Sequence, residues 1–346
     1  MIKSERFINL GRVLEDMIKN KEQVQDSIKG AIIGCACGDA YGMPYEGLTK
    51  EQITTFHGKK ISEKYIDSEY SRHTKGLKRG SYTDDTQLTL ATVESILEKE
   101  DVDVEDIGRR FAELYKHKKL IGAGRSTKFA LKNITKGASA YESGLEDAYG
   151  CGAAMRISPL AAISAEGHYK SIIVNHVASI THNNKIGFQS AYLLGGAIKT
   201  VMFDDDYLDK ELLKSNFKNI PKLNRFDFEP KKYSLIKKIH DNLDHIDEPI
   251  DVLAEKIGVS GLANESVVYA LFCFVKEPHD FKKLMNYSVR NGGDTDSIAS
   301  MTGTLYGALQ GFSKIPKSYV INLKDTHKIQ KLSEEYATYS VDKLFR

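Results

Sequence analysis

Two short acidic clusters stand more than two hundred residues apart: Thr83-Asp84-Asp85 and Gly292-Gly293-Asp294-Thr295-Asp296-Ser297. Each opens a stretch with helical spacing. Leu88, Leu90, Ala91, Val93, Ile96 and Leu97 follow the first, and the small residues Ala299, Ser300 and Gly303 follow the second. Adjacent carboxylates repel unless a cation or solvent compensates, and mixed hydroxyl and carboxylate oxygens suit a hard divalent ion such as Mg²⁺ or Mn²⁺. Acids in a first helical turn, with Thr83 as N-cap, also satisfy free backbone N–H groups, which is explanation enough for one cluster. It does not account for the glycine pair ahead of the second. If the two starts meet, they offer four carboxylates and the hydroxyls of Thr83 and Ser297, enough for two ions sharing oxygens. A calcium loop is excluded: counted from Asp294, Ile298 and Leu305 stand where oxygen ligands belong, and Ala299 replaces the required glycine.

The elements that must position these clusters read as helices. From Val24 to Met43, Gly30, Gly34, Gly38 and Gly42 recur at every fourth residue, a smooth stripe on which another backbone can approach closely. Gly303, Gly307 and Gly311 repeat the device behind the second cluster. The two striped helices are expected at the packed centre. Further helices are predicted over Asp85 to Lys99, Val104 to Lys118, Ala153 to Ile163, Ser171 to Ile180, Lys185 to Phe203, Lys231 to Asn242, Ile250 to Ile257, Glu265 to Phe274 and Asp280 to Val289. Strands do not alternate with them, so one large all-α domain is expected over residues 26–346, behind an N-terminal helical extension, 1–25. Residues 204–249, richer in charge and holding Pro221, Pro230 and Pro249, read as a peripheral insertion.

The 346 residues are 41% hydrophobic, and 49 basic against 47 acidic residues leave a net charge of +2, so no general attraction to nucleic acid or acidic lipid is implied. Charged residues interrupt the first twenty positions, which argues against a signal peptide, and no stretch is long and apolar enough to span a bilayer. A cytosolic monomer is the expectation. Cys35, Cys37, Cys151 and Cys273 lack paired C-x-x-C spacing and read as reduced packing thiols. Walker A, G-x-S-x-G and H-E-x-x-H patterns are missing, which weakens P-loop, triad-hydrolase and zincin readings.

In their order, several blocks resemble the ADP-ribosylglycohydrolase family. They are Gly30-Ala31-Ile32-Ile33-Gly34 with Gly38-Asp39-Ala40, Pro44-Tyr45-Glu46, Tyr82-Thr83-Asp84-Asp85-Thr86, Gly150-Cys151-Gly152-Ala153-Ala154-Met155-Arg156, Thr181-His182, and Asn291 to Ala299. The resemblance implies a single compact orthogonal multi-helix bundle and a binuclear Mg²⁺ or Mn²⁺ site held by Thr83, Asp84, Asp85, Asp294, Asp296 and Ser297. It further implies that Glu46 is a flexible glutamate near the scissile bond. Gly150, Cys151, Gly152, Ala153 and Met155 would belong to the loop and helix start holding a diphosphate, and His182 would contact substrate. Read without the resemblance, Glu46 is a surface acid, the glycines mark a turn that could also cradle phosphate, and His182 caps a helix ending near Ile180. Asp39 is a structural acid with no catalytic part. Two departures stand out: Cys151 replaces the family's usual asparagine, and Asn183-Asn184-Lys185 follows His182 where a proline-containing continuation is common.

The implied reaction frees ADP-ribose from a protein side chain or a small molecule. Two ions about 3.5–4 Å apart match vicinal ribose hydroxyls, and cleavage at the anomeric carbon passes through an oxocarbenium-like state. Glu46, with Asp85 and Asp296 as site carboxylates, would activate the attacking water. Guanidine leaves more easily than a serine oxygen and so demands less of a general acid, and the resemblance favours arginine linkages slightly because they are common in the family's bacterial branch. The rival readings are a metal-dependent phosphohydrolase of free nucleotides and an inactive ADP-ribose-binding protein, and nucleic-acid-linked ADP-ribose is a less expected target.

Overall fold

The computed structural model describes residues 19–58, 61–163, 171–203 and 231–345. The expected extension lies largely outside the described residues, as does 204–230 of the expected insertion. Fifteen α-helices and no sheet are found among the described residues. The first, α1 (Lys21–Gly42), starts at a capping box in which Asn20 Oδ1 accepts the Gln23 N–H and Gln23 Oε1 accepts the Asn20 N–H, both at 2.9 Å. It runs without a break across residues 25 and 26.

The stripe of α1 lies against α13 (Thr295–Gln310), as the glycine spacing predicts. Cβ atoms on Gly30, Gly34, Gly38 and Gly42 would run into the backbone carbonyls of Gly307, Gly303, Ala299 and Thr295, and Cβ atoms on Gly303 and Gly307 into those of Gly34 and Gly30. Two backbones therefore touch directly from Gly30 to Gly42, a little over three turns. That contact offsets the helix-propensity cost of glycine, about 1 kcal/mol each. Gly311 does not extend the stripe. At φ +83° it ends α13, where a side chain would meet the Asp26 carboxylate.

Around this pair sit α2 (Lys50–His57), α3 (Asp84–Lys99), α4 (Val104–Lys116), α5 (Arg125–Ile134), α6 (Ser158–Ile163), α7 (Ser171–Ser179), α8 (Lys185–Phe203), α9 (Leu235–Asn242), α10 (Ile250–Ile257), α11 (Ala263–Lys276), α12 (Phe281–Val289), α14 (Lys317–Ile321) and α15 (Thr326–Leu344). The helix expected over Ala153 to Ile163 is instead a 3₁₀ turn, Cys151–Ala153, followed by α6. Pro159 has no N–H to give a preceding turn, so the helix restarts beside it. In the described part of 204–249, Leu235, Ile239, Leu243 and Ile246 join the core. The three isolated β-bridges, Thr49 with Gly292, Leu145 with His182 and Gly150 with Leu262, each involve a segment named from the motifs above.

Candidate active site

The start of α3 is fastened by an acid from α1. Asp39, fully buried, accepts the Thr83 N–H at 3.0 and 2.9 Å, the Thr83 hydroxyl at 2.9 Å, the Thr86 N–H at 3.1 Å and the Thr86 hydroxyl at 2.5 Å. Thr83 occupies the N-cap position but its side chain caps nothing, and Asp39 performs that role from another helix. Burial and Asp296 push the Asp39 carboxyl up to about 7, while the donors from Thr86 and Thr83 work the other way. Asp84 and Asp85 are buried on the same turn. Gly122, at φ +82°, lets the loop before α5 close on Asp84, whose N–H donates to Ile121 O at 2.8 Å.

The start of α13 is fastened differently. Gly292 and Gly293 have φ of +74° and +83°, and side chains there would strike the carbonyls of Leu48 and Val259. The Gly293 N–H donates to Leu48 O and the Gly47 N–H to Gly293 O, both at 2.9 Å, pinning the Glu46 loop alongside. Glu46 Oε2 then accepts the Thr295 N–H at 3.0 Å. The glycine pair thus serves a close backbone approach that places Glu46 over the second acidic start.

The two starts meet. Ser297 Oγ and Thr83 Oγ1 each lie 3.4 Å from Asp85 Oδ2. Among the described residues, Glu46, Asp294 and Asp296 each offer a carboxylate oxygen within 4.8 Å of the others. Glu46, expected near the scissile bond, thus stands among expected metal ligands, and Asp84 and Asp85 feel the charges of Asp294 and Asp296. Burial first, then neighbouring carboxylates, hold Glu46, Asp84 and Asp85 well above the usual carboxylate range. Asp296 is raised to about 6 by burial and Asp294, and Asp294 itself is raised by burial. Asp85 Oδ1 is buried with no hydrogen-bond partner in the protein. Crowded carboxylates and an orphaned oxygen are what a divalent cation would relieve, so the donor set fits one.

Beside the acids lies the segment from Gly150 to Arg156. The Cys151 N–H is committed to Gly261 O at 3.1 Å, and its thiol donates to Asp294 Oδ2 at 3.1 Å. Burial, Asp294 and Asp85 hold that thiol well above its ordinary range, so it is a protonated donor. The Met155 sulfur lies 3.9 Å from the Ser297 hydroxyl. Ala153 is buried in the 3₁₀ turn. The ring of His182 lies against Gly150 and Gly152, with Nδ1 2.7 Å from Thr181 Oγ1, so it does not cap the carbonyl end of α7. Gly122-Ala123-Gly124 ahead of α5 was not singled out by the motifs, yet it borders Asp84, and Thr127 of that helix borders Gly152. Two glycines flanking a helix start were the available signal.

Comparison with known proteins agrees with this architecture. The sequence profile of the ADP-ribosylglycohydrolase family matches residues 20–344. Mouse ADP-ribosylhydrolase ARH3 is 29% identical over 84% of this chain and 85% of its own length. The ADP-ribosyl-[dinitrogen reductase] glycohydrolase of Rhodospirillum rubrum is 28% identical over 87% and 91%. A solved structure described as an ADP-ribosylglycohydrolase-related protein complex superposes with a TM-score of 0.74 at 25% identity, covering 92% of this chain and 99% of that one. The chain belongs to the ADP-ribosylglycohydrolase family, a family of glycoside hydrolases acting on ADP-ribose linkages. No helix among the described residues is long and apolar enough to cross a membrane.

Proposed function

We propose that this enzyme uses two divalent cations, Mg²⁺ or Mn²⁺, to hydrolyse the bond between the anomeric carbon of ADP-ribose and a protein side chain, arginine first. The convergence of both acidic helix starts on Asp85 Oδ2 carries this reading. Thr83, Asp84, Asp85, Asp294, Asp296 and Ser297 would hold the cations, which when bound supply charge that orients vicinal ribose hydroxyls and polarises the site. Gly150, Gly152, Ala153, Met155 and His182 line the diphosphate side. Cys151 acts through Asp294, since its thiol and amide are both engaged.

In the reaction, the oxygen of one water bonds to the anomeric carbon while the carbon–nitrogen bond breaks toward the guanidine. Glu46 takes one proton of that water, with Asp85 and Asp296 as neighbouring acceptors. The raised affinity of Glu46 for a proton, which comes from burial and from Asp296 and Asp294, suits a general base or acid. Its engagement with Thr295 leaves it facing the carboxylates, which favours a leaving group that needs little acid assistance. The residues 204–249 select among modified proteins in this reading.

The test is a panel of arginine- and serine-linked ADP-ribose substrates with Mg²⁺, Mn²⁺ or chelator. Release of intact ADP-ribose, fastest from arginine and abolished by chelator, is expected. AMP as product would instead identify a phosphoanhydride hydrolase.

A further inference from the structure

Arg156, Thr181 and His182 form a hydrogen-bonded chain whose direction is set by its first member. Arg156 is 1% exposed, and a guanidinium can only donate. One amino group donates to Gly152 O, and the other to Thr181 Oγ1 at 2.7 Å and Val177 O at 3.4 Å. Thr181 Oγ1 therefore accepts from Arg156. Its single proton is left for the other neighbour, His182 Nδ1, also at 2.7 Å. A neutral imidazole that accepts at Nδ1 carries its proton on Nε2. The opposite tautomer would set the Thr181 oxygen between two donors and strand the hydroxyl proton.

The Nε2 edge faces the glycine loop. A Cβ on Gly152 would stand 2.7 Å from Cε1 and 3.3 Å from Nε2, so a side chain there would crowd this edge, while Gly150 borders it at 3.7 Å. On the other side, a Cβ on Gly187 would stand 2.7 Å from His182 Cβ, so α8 closes tightly behind the histidine. Burial and the Arg156 charge press the imidazole pKa down to about 3, so the ring is neutral.

We infer that Arg156, acting through Thr181, locks His182 as the Nε2–H tautomer and thereby presents a neutral N–H donor to the diphosphate of ADP-ribose at the Gly150 to Gly152 loop. The donor part of this inference rests on the proposed function; the tautomer part does not. Arg156 is then a positioning residue, buried behind the loop and holding it through Gly152 O. A donor with a fixed proton also distinguishes a phosphate oxygen from a group that must itself donate.

The experiment uses the full chain with ¹⁵N-labelled histidine. Long-range ¹⁵N–¹H correlation, with His182 assigned from a His182→Gln variant, reads which ring nitrogen is protonated, and calorimetry reads ADP-ribose binding. Protonated Nε2 and bare Nδ1 are expected in the wild type. Thr181→Val, close in shape, should give a tautomer mixture, about tenfold weaker ADP-ribose binding and a raised KM with little change in kcat. Thr181→Ser should restore both readouts. A wild-type ring protonated at Nδ1, or a tautomer untouched by Thr181→Val, would overturn the relay. A switched tautomer with unchanged binding, or a wild type that binds no ADP-ribose, would overturn the donor role and with it the placement of the diphosphate.

Discussion

The two acidic helix starts face the same electrostatic problem and receive opposite treatments. At the start of α3, Asp39 lies wholly inside the protein and satisfies two N–H groups and two hydroxyls at once. At the start of α13, Glu46 arrives on a loop and accepts one N–H. One cap is built into the core, and the other rests on a single hydrogen bond from a loop. A charge held by four donors is costly to disturb, whereas a single hydrogen bond is worth about 1 kcal/mol. The contrast sets a wall fastened by several donors beside an acid held by one.

The largest effect should come from the carboxylates themselves. Asp85→Asn and Asp296→Asn should each lower kcat/KM by about a thousandfold or more in saturating Mg²⁺, and normal turnover in either would remove that residue from the site. Next comes the built-in cap. Asp39→Asn turns an amide N–H₂ toward donors that now lack an acceptor, and should cost about 2–4 kcal/mol in urea unfolding. An unchanged midpoint would show that α3 is held by something else.

The cap held by one bond should behave in reverse. Glu46→Gln still accepts the Thr295 N–H, so stability should stay within about 0.5 kcal/mol while hydrolysis falls about a hundredfold. Full activity would take Glu46 out of the chemistry.

The smallest effect is a pH dependence. Folded-state values raised above the unfolded ones, Asp39 to about 7 and Asp296 to about 6, mean that the chelated protein binds more protons folded than unfolded. Their penalty is relieved as protons bind. Stability should therefore rise as pH falls from about 8 to 6.5, by no more than about 1.4 kcal/mol per pH unit for each proton. Below about 6.5 His182 opposes the trend, because its folded value is depressed. Thermal melts across this interval, with chelator and with Mg²⁺, would read both the slope and its reduction by the cation.

What the sequence discloses here is local, and what it hides is contact at a distance. The glycine stripes repeat at helical spacing, so their packing is visible in the chain, and the acids announce themselves by sitting where helices begin. The Asp39 cap joins residues 44 positions apart, and nothing in either segment marks the pairing. Likewise, the turn of Cys151 toward Asp294 depends on a neighbour 143 positions away. Helix α15 went unrecognised because Ser333 and Ser340 occupy buried positions and break its apolar rhythm. The segment around Pro159 failed for the opposite reason: a periodic pattern was present, but the backbone chemistry of proline overrode it.

The backbone seam between α1 and α13 also has a consequence for how the enzyme fails. Asp39 and Glu46 sit at the C-terminal end of one partner, and Asp294 and Asp296 at the N-terminal end of the other, so both caps and half the acids are referenced to one contact. Because its glycines set backbone directly on backbone, the seam leaves little room for a setting between closed and separated. On heating, loss of turnover and loss of helicity should therefore fall on one curve, and activity that disappeared well before the helical signal would show that the site has a hinge of its own.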